Sequence, residues 1–168
     1  MTTYINMATT AHGPSNYQIN ENNADLIIKN LWLGNYKAAF DLNFLLKQNI
    51  HYIVNVSDDV PCIFGHINYM QIPIKDKNIC HDQSMPKVID QALKFIHYGL
   101  SQNQGVLVHC VHGRHRSAGI AMAYLIKYCS MCYSDSKSYI ISRRPKALNR
   151  KTCIDYWVYE ISRSFGSR

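Results

Sequence analysis

The sequence predicts an α/β fold, in which a central, mostly parallel sheet is flanked by helices on both faces. Two observations lead to this prediction. Short apolar runs rich in Val and Ile alternate with longer segments whose apolar residues recur at helical spacing. The length of 168 residues fits one domain with a single core. Strands that alternate with helices are typical of a sheet covered on both sides.

The first half of the chain contains a polar segment, several strands and one helix. Residues 1–24 are rich in Asn and Thr, which predicts a flexible arm before a domain over residues 25–168. An arm that docks on a partner subunit is the alternative, so the sequence leaves open whether the chain forms a homodimer. The elements predicted next are a strand or tight hairpin over Leu26–Asn35, a helix over Tyr36–Asn49, and buried strands over Tyr52–Val56 and Ile67–Ile74.

The second half is dominated by helical patterns around one further strand. Ser84 is suited to be an N-cap, with Pro86 in the first turn of a helix that runs to about Leu100. The elements predicted after it are a buried strand over Val106–His109 and helices over Ser117–Tyr128, Asp135–Arg143 and Lys151–Phe165.

Composition and charge limit the classes of function. A net charge of +7 favours an anionic partner or substrate of unspecified kind. Without a zinc finger, an RNA-binding aromatic signature or a continuous basic helix, nucleic acid is expected only as an alternative substrate. No apolar run is long enough to span a bilayer, and the N-terminus lacks the pattern of a secretory signal. We therefore expect a cytoplasmic or nuclear protein that is not secreted.

The six cysteines are expected to be reduced thiols, because no secretory signal is visible. Cys129 and Cys132 have the spacing of half a zinc site, but no second ligand pair accompanies them. The sequence therefore predicts neither a metal site nor a cofactor.

The segment VLVHCVHGRHRSAG, residues 106–119, places Cys110 at the carboxyl end of a predicted strand and just before a predicted helix. Ligands of α/β sheets bind at such strand ends. A loop that enters a helix can turn several amides inward, and the helix dipole adds partial positive charge there. Gly113 can adopt the positive φ that this turn needs, and Arg116 offers a planar fork of donors to two oxygens. Together these features predict a pocket for a tetrahedral dianion.

The positive field of this pocket should also act on the thiol of Cys110. Helix N-termini and nearby cations favour the thiolate form of cysteine. Ser117 is placed to donate a hydrogen bond to this thiolate, and His109 is expected to orient the loop by hydrogen bonding. A buried structural cysteine is the alternative, but the strand, the loop glycine, Arg116 and Ser117 together favour a reactive thiol.

The stretch HCVHGRHRS resembles the His-Cys-x5-Arg-Ser/Thr signature loop of cysteine-dependent protein tyrosine phosphatases. The stretches LWLGNYKAAFD, YIVNVSDD, YMQIPIKD and AYLI resemble the dual-specificity branch in order and spacing, from about Ala24 to Ile161. The resemblance implies a protein tyrosine phosphatase-like fold, with a dual-specificity phosphatase catalytic domain over residues 25–168.

The resemblance also implies a mechanism and a set of site residues. Cys110 would attack phosphorus to give a cysteinyl-phosphate, and Asp76 would protonate the leaving oxygen and then activate water, with no metal or cofactor. Asp82 is the second candidate for the acid, although it could cap the following helix instead. The residues that would hold the phosphate are Val111, His112, Gly113, Arg114, His115 and Arg116.

One feature departs from the family pattern. Many relatives brace the phosphate loop with an Asn in a Ser-Pro-Asn turn, whereas this chain reads KALNRKTC. Asn149 is out of register there, so the bracing role is not assigned to it.

Three hypotheses for the function remain open. A short chain without an added aromatic recognition loop favours a phosphoprotein phosphatase that accepts phosphotyrosine, phosphoserine and phosphothreonine. The cationic His112, Arg114 and His115 leave a non-protein phosphate as the alternative, namely an RNA 5′-triphosphate, a phosphoinositide or an inositol pyrophosphate. A relative that only binds phosphoprotein is disfavoured, because Cys110, Arg116 and Asp76 are all present.

Overall fold

The computed structural model of the protein describes residues 22–75 and 82–165. The described residues contain a five-stranded sheet in the order β1-β2-β5-β3-β4. The strands are β1 (Ala24–Ile28), β2 (Leu31–Gly34), β3 (Ile50–Asn55), β4 (Asn68–Gln71) and β5 (Gly105–His109).

The sheet is mostly parallel, as the sequence predicts. β1 and β2 form an antiparallel hairpin, while the pairs β2–β5, β5–β3 and β3–β4 are all parallel. The hairpin turns at Asn30, whose φ of 64° lies in the left-handed region that Asn tolerates better than most residues. The parallel strands β2, β3 and β5 therefore end at the same edge of the sheet.

Helices cover both faces of the sheet, which confirms the predicted architecture. Ala38, Ala39 and Leu45 of the first two helices pack with Ile53 and Leu107 on one face. The other four helices form the larger core on the opposite face. The helices are α1 (Tyr36–Phe40), α2 (Leu42–Lys47), α3 (Met85–Ser101), α4 (Arg116–Cys129), α5 (Tyr133–Arg143) and α6 (Cys153–Phe165).

α4 is the central helix of the larger core. It packs against β5, α3, α5 and α6, so residues 116–126 are all buried. Gly119 lets α6 approach closely, since a Cβ there would lie 2.4 Å from the Cγ1 atom of Ile154. The helix that follows the Cys110 loop is thereby fixed from several sides.

Two predicted elements differ from the structure. The single helix expected over Tyr36–Asn49 is two short helices, because Asp41 adopts an extended conformation and its Oδ1 atom accepts a hydrogen bond from Phe44 N at 3.0 Å. Asp41 thus ends α1 and caps α2. The strand expected over Ile67–Ile74 pairs only at Asn68–Gln71.

Some sequence predictions fall outside the described residues. Residues 1–21 of the predicted arm and the predicted acid Asp76 belong to this group. Ala24, the last residue of the predicted arm, is the first residue of β1. Among the helices within residues 22–75 and 82–165, none is long and apolar enough to cross a membrane.

Candidate active site

Cys110 follows β5 directly and is only 3% exposed. Its Sγ atom accepts two hydrogen bonds, from Gly113 N at 3.2 Å and from Ser117 Oγ at 3.2 Å. Ser117 lies in the first turn of α4 and is fully buried, so its hydroxyl is held in place. Both donors would stabilise negative charge on the sulfur.

The carbonyl groups of the loop after Cys110 are bound from outside the loop. Four consecutive carbonyl oxygens, those of residues 111–114, accept hydrogen bonds from β2–α1 or from the segment after α5. The bonds are Tyr36 N to Val111 O at 3.4 Å, Arg144 Nη2 to His112 O at 3.4 Å, Arg144 Nε to Gly113 O at 2.7 Å, and Leu148 N to Arg114 O at 2.8 Å.

This pattern fixes the direction of the amides as well. In a trans peptide the carbonyl of one residue points opposite to the N–H of the next, and no peptide bond among the described residues is cis. The N–H groups of residues 112–115 therefore face the interior of the loop, where Gly113 N already meets Cys110 Sγ. A ring of inward amides at a helix N-terminus is an anion-binding nest.

Gly113 is required by both conformation and space. Its φ is +66°, in the region that disfavours other residues. A Cβ there would lie 2.4 Å from Gly34 O and 2.9 Å from Asn35 N, which belong to the β2–α1 junction. The loop can thus lie directly on the end of β2 only because this residue has no side chain.

Arg116 is the first residue of α4 and is 7% exposed. Its Nη1 atom donates to Ile74 O at 2.9 Å and lies 3.6 Å from Asp58 Oδ1. Its buried Nε atom has no hydrogen-bond partner among the described residues. The guanidinium therefore enters the site with donor capacity that a phosphate could use.

Asp58 is a member of the site that the sequence interpretation missed. It follows β3, which is the parallel neighbour of β5, so its position at the carboxyl end of an adjacent strand was a usable signal.

The histidines and Arg114 of the signature differ in exposure. His109 is buried at the carboxyl end of the central strand β5, and burial lowers its pKa to about 4, so its imidazole is neutral near pH 7. His112 is exposed, Arg114 is half-buried, and His115 is buried at the N-cap position of α4. Of the three cationic residues on which the non-protein substrate alternative depends, only His112 is exposed.

The two acid candidates have different surroundings. Asp76 lies outside the described residues, but the carbonyl oxygen of Ile74, two positions before it, accepts a hydrogen bond from Arg116 Nη1. Asp82 is exposed, and its Oδ1 atom accepts hydrogen bonds from Ser84 Oγ at 2.6 Å and Ser84 N at 2.9 Å. These hydrogen bonds, that of the hydroxyl first, lower the pKa of Asp82. Ser84 is the N-cap residue of α3, as predicted, but its side chain makes no cap bond to the helix.

The segment after α5 braces the loop in a way that the sequence interpretation missed. Arg144 is 1% exposed and donates to two loop carbonyls, and the backbone of Leu148 binds a third. Asn149, which is out of register with the family's bracing residue, is exposed. An Arg beside a Pro carries no pattern from which such a contact could be inferred.

The free thiols among the described residues are Cys62, Cys110, Cys129 and Cys132. Cys153 is disulfide-bonded, so the expectation of a fully reduced chain is wrong at this position. Cys132 caps α5 through Asp135 N, which gives it a local structural contact.

A cysteine beneath a ring of amides, with a buried arginine at the start of the next helix, defines the class of cysteine-dependent phosphatases. The family described as "Dual specificity phosphatase, catalytic domain" matches residues 31–161, and the chain belongs to this family.

Relatives agree with this assignment, and a solved structure shares the fold. Human dual specificity protein phosphatase 9 is 37% identical over 124 residues, covering 72% of this chain and 31% of the relative. Drosophila melanogaster dual specificity protein phosphatase Mpk3 is 35% identical over 129 residues, covering 75% and 31%. The crystal structure of human DUSP28 superposes with a TM-score of 0.79 at 18% identity, covering 87% of this chain and 97% of that one. The chain spans about a third of the length of the two curated relatives.

Proposed function

We propose that the protein is a dual-specificity protein phosphatase that hydrolyses phosphotyrosine and phosphoserine or phosphothreonine through a cysteinyl-phosphate intermediate. The observation that carries the proposal is the single loop in which Gly113 N and Ser117 Oγ donate to the Cys110 sulfur and Arg116 begins the following helix. Membership of the dual specificity phosphatase family supports the protein substrate class.

In the first step the Cys110 thiolate attacks phosphorus, an S–P bond forms and the bond from phosphorus to the substrate oxygen breaks. The leaving oxygen takes a proton from Asp76. The amides of residues 112–115 and the fork of Arg116 hold the remaining phosphate oxygens, where positioning and charge stabilisation contribute most to phosphoryl transfer.

In the second step water attacks phosphorus and gives a proton to Asp76, while the S–P bond breaks and the thiolate returns. Ser117 Oγ, 3.2 Å from Sγ, stabilises the departing thiolate by hydrogen bonding. His109 is neutral and buried, which suits it to support the loop and not to accept a proton.

The proposal includes a class of substrate and a location in the cell. The pocket is expected to be shallow, so it would admit both aryl and alkyl phosphates. The basic net charge favours an acidic phosphopeptide. We place the protein in the cytoplasm or nucleus.

The test is a comparison of wild-type protein with Cys110→Ser on a panel of phosphopeptides, 5′-triphosphorylated RNA and inositol phosphates. We expect wild-type turnover of phosphopeptides and none by the variant. The variant should still bind phosphate, because the amides and Arg116 remain. Cys129→Ser, at an exposed thiol at the far end of α4, is the matched control and should keep wild-type activity.

Two results would contradict parts of the proposal. Hydrolysis by Cys110→Ser near the wild-type rate would exclude Cys110 as the nucleophile. A wild-type preference for RNA or inositol phosphates over every phosphopeptide would replace the substrate class and leave the mechanism in place.

A further inference from the structure

We propose that Arg144 is a positioning residue of the reaction, which fixes two consecutive peptide groups of the phosphate loop and is itself anchored by Asp25. The proposal rests on the proposed function, because it concerns the loop that holds the substrate phosphate. Arg144 lies at the end of α5, outside the signature segment.

The guanidinium of Arg144 connects the loop to the first strand of the sheet. Its Nε donates to Gly113 O at 2.7 Å and its Nη2 to His112 O at 3.4 Å. Its Nη1 donates to Asp25 Oδ2 at 2.6 Å and to Asn22 O at 2.9 Å. One rigid planar group therefore sets the distance between the loop and β1.

Because Arg144 is buried and Asp25 is partly buried, their charged groups need partners within the protein. The side chain of Arg144 is 1% exposed and that of Asp25 is 17% exposed. A charge removed from water must be paired and hydrogen-bonded, so the guanidinium fits only while both the carboxylate and the loop carbonyls stay in place. The Arg144–Asp25 ion pair thus stabilises one position of the loop after Cys110.

The path from Arg144 to the sulfur runs through a single peptide group. The carbonyl of His112 accepts from Arg144, and the N–H on the other side of the same peptide, that of Gly113, donates to Cys110 Sγ. The next peptide repeats the arrangement, with Gly113 O on Arg144 Nε and the N–H of Arg114 turned inward. Arg144 therefore orients donors for both the thiolate and the phosphate without touching either.

The same region lacks the family's bracing turn. Asn149 is exposed, and Leu148 N binds only the carbonyl of Arg114. Arg144 holds the two carbonyls before it, so we assign to Arg144 the larger part of the bracing in this chain.

The experiment compares Arg144→Lys and Arg144→Ala with the wild type at a temperature well below unfolding. Three quantities are measured: kcat/KM for a small aryl phosphate, the inhibition constant of orthovanadate, and the pH profile of Cys110 alkylation by iodoacetamide. We expect both variants to weaken vanadate at least tenfold and to move the alkylation profile to higher pH. Lysine should rescue little, because a point charge cannot hold two carbonyls and a carboxylate together.

Two variants serve as controls. Arg143→Ala removes the neighbouring exposed arginine, whose described contacts are with Tyr139, and should stay within twofold of wild type. Val158→Ala truncates a buried side chain of α6 and lowers stability without touching the loop. It should keep the vanadate constant and the alkylation profile, which separates positioning from simple destabilisation.

Each outcome decides the proposal. Vanadate inhibition and alkylation within twofold of wild type in Arg144→Lys would overturn it, as would equal losses in Val158→Ala. If neither Arg144 variant folds, Asp25→Asn decides, with a loss of about two- to fivefold expected and wild-type values contradicting the anchor. A wild-type protein that hydrolyses no phosphate ester would contradict the proposed function instead, and the alkylation profile would still report on the loop.

Discussion

The sulfur of Cys110 accepts hydrogen bonds from donors three and seven residues further along the chain, as a tight loop entering a helix allows. The first donor is a backbone amide whose direction is set by its neighbours, and the second is a hydroxyl on a buried helix. Neither donor can turn away to water. At this residue, negative charge on the sulfur is stabilised before any substrate arrives.

The choice of general acid is also decided at single residues. Asp76→Asn should lower kcat by about 10²–10⁴-fold on a phosphotyrosine peptide, the usual contribution of general acid catalysis. The loss should be smaller on an aryl phosphate whose phenol is very acidic, because that leaving group needs less protonation. Steady-state kinetics on both substrates, with kcat/KM followed against pH, measure the effect. The descending limb at high pH should vanish in the variant.

Asp82→Asn is the matched comparison. Asp82 is fully exposed and already binds Ser84 at the start of α3, and those bonds lower its pKa, so at neutral pH it has no proton to give. We expect kcat within about twofold of wild type and nearly unchanged stability, because the amide oxygen of Asn can accept the same hydrogen bonds from Ser84. Large kinetic losses in Asp82→Asn together with none in Asp76→Asn would reverse the assignment.

At the scale of elements, the site is a junction of β5, α4 and the β2–α1 turn. The loop lies on the end of β2 at Gly34 and is held on its other side by the segment after α5. The short connection at Asp41 keeps α1 and α2 on the opposite face of the sheet. The phosphate loop is therefore enclosed by elements that are distant in sequence.

Gly113→Ala tests this junction. A left-handed conformation costs an ordinary residue about 1–2 kcal/mol, and the new Cβ would meet Gly34 O at 2.4 Å. The loop must shift away from β2, so we expect kcat/KM and vanadate affinity to fall at least tenfold. Gly65→Ala is the control, because a Cβ there meets nothing within 4 Å and should leave both quantities unchanged. If kcat/KM and vanadate affinity were the same in both variants, the loop could accommodate a Cβ atom at residue 113 without moving.

Strand and helix periodicity predicted the mostly parallel sheet and both helical layers, since burial on one face leaves a repeating pattern. The break at Asp41 was missed because an Asp can be a surface residue of a long helix as well as a cap. Arg144 was missed because its partners are backbone carbonyls and a carboxylate 119 positions earlier in the chain, which leave no mark in the local side-chain pattern. Contacts of this kind depend on the tertiary arrangement alone.

At the scale of the whole molecule, the parallel strands β2, β5 and β3 bring distant segments to one edge of the sheet. Gly34, His109 and Asn55 are aligned there by strand pairing. Asp58 follows the end of β3 and the Cys110 loop follows the end of β5. Because these strands are neighbours, Arg116 at the end of the loop lies close to Asp58. The site is thus a product of topology, and His109, Cys110 and Arg116 at its centre are all buried.

This burial couples the site to the acid stability of the whole protein through His109. Burial lowers its pKa to about 4, against about 6.5 in the unfolded chain. Below pH 6.5 the unfolded state therefore binds more protons, so the contribution of His109 is complete above pH 6.5 and is lost as the pH falls toward 4. A shift of this size corresponds to about 3 kcal/mol, at about 1.4 kcal/mol per pH unit. Such a loss is a large part of a typical domain stability of about 5–15 kcal/mol.

The measurement is urea unfolding of wild type, His109→Gln and His66→Gln at pH 7 and pH 5. We expect the free energy of unfolding of the wild type to fall by about 2 kcal/mol more than that of His109→Gln between the two pH values. For each protein the free energy of unfolding at pH 5 is compared with its own value at pH 7, so a pH-independent loss of stability from the substitution cancels. His66 is exposed, and its variant should follow the wild type. If the free energy of unfolding of His109→Gln changed with pH as much as that of the wild type, His109 would be protonated in the folded state at pH 5. Its surroundings at the end of β5 would then be more accessible to water than the packing indicates.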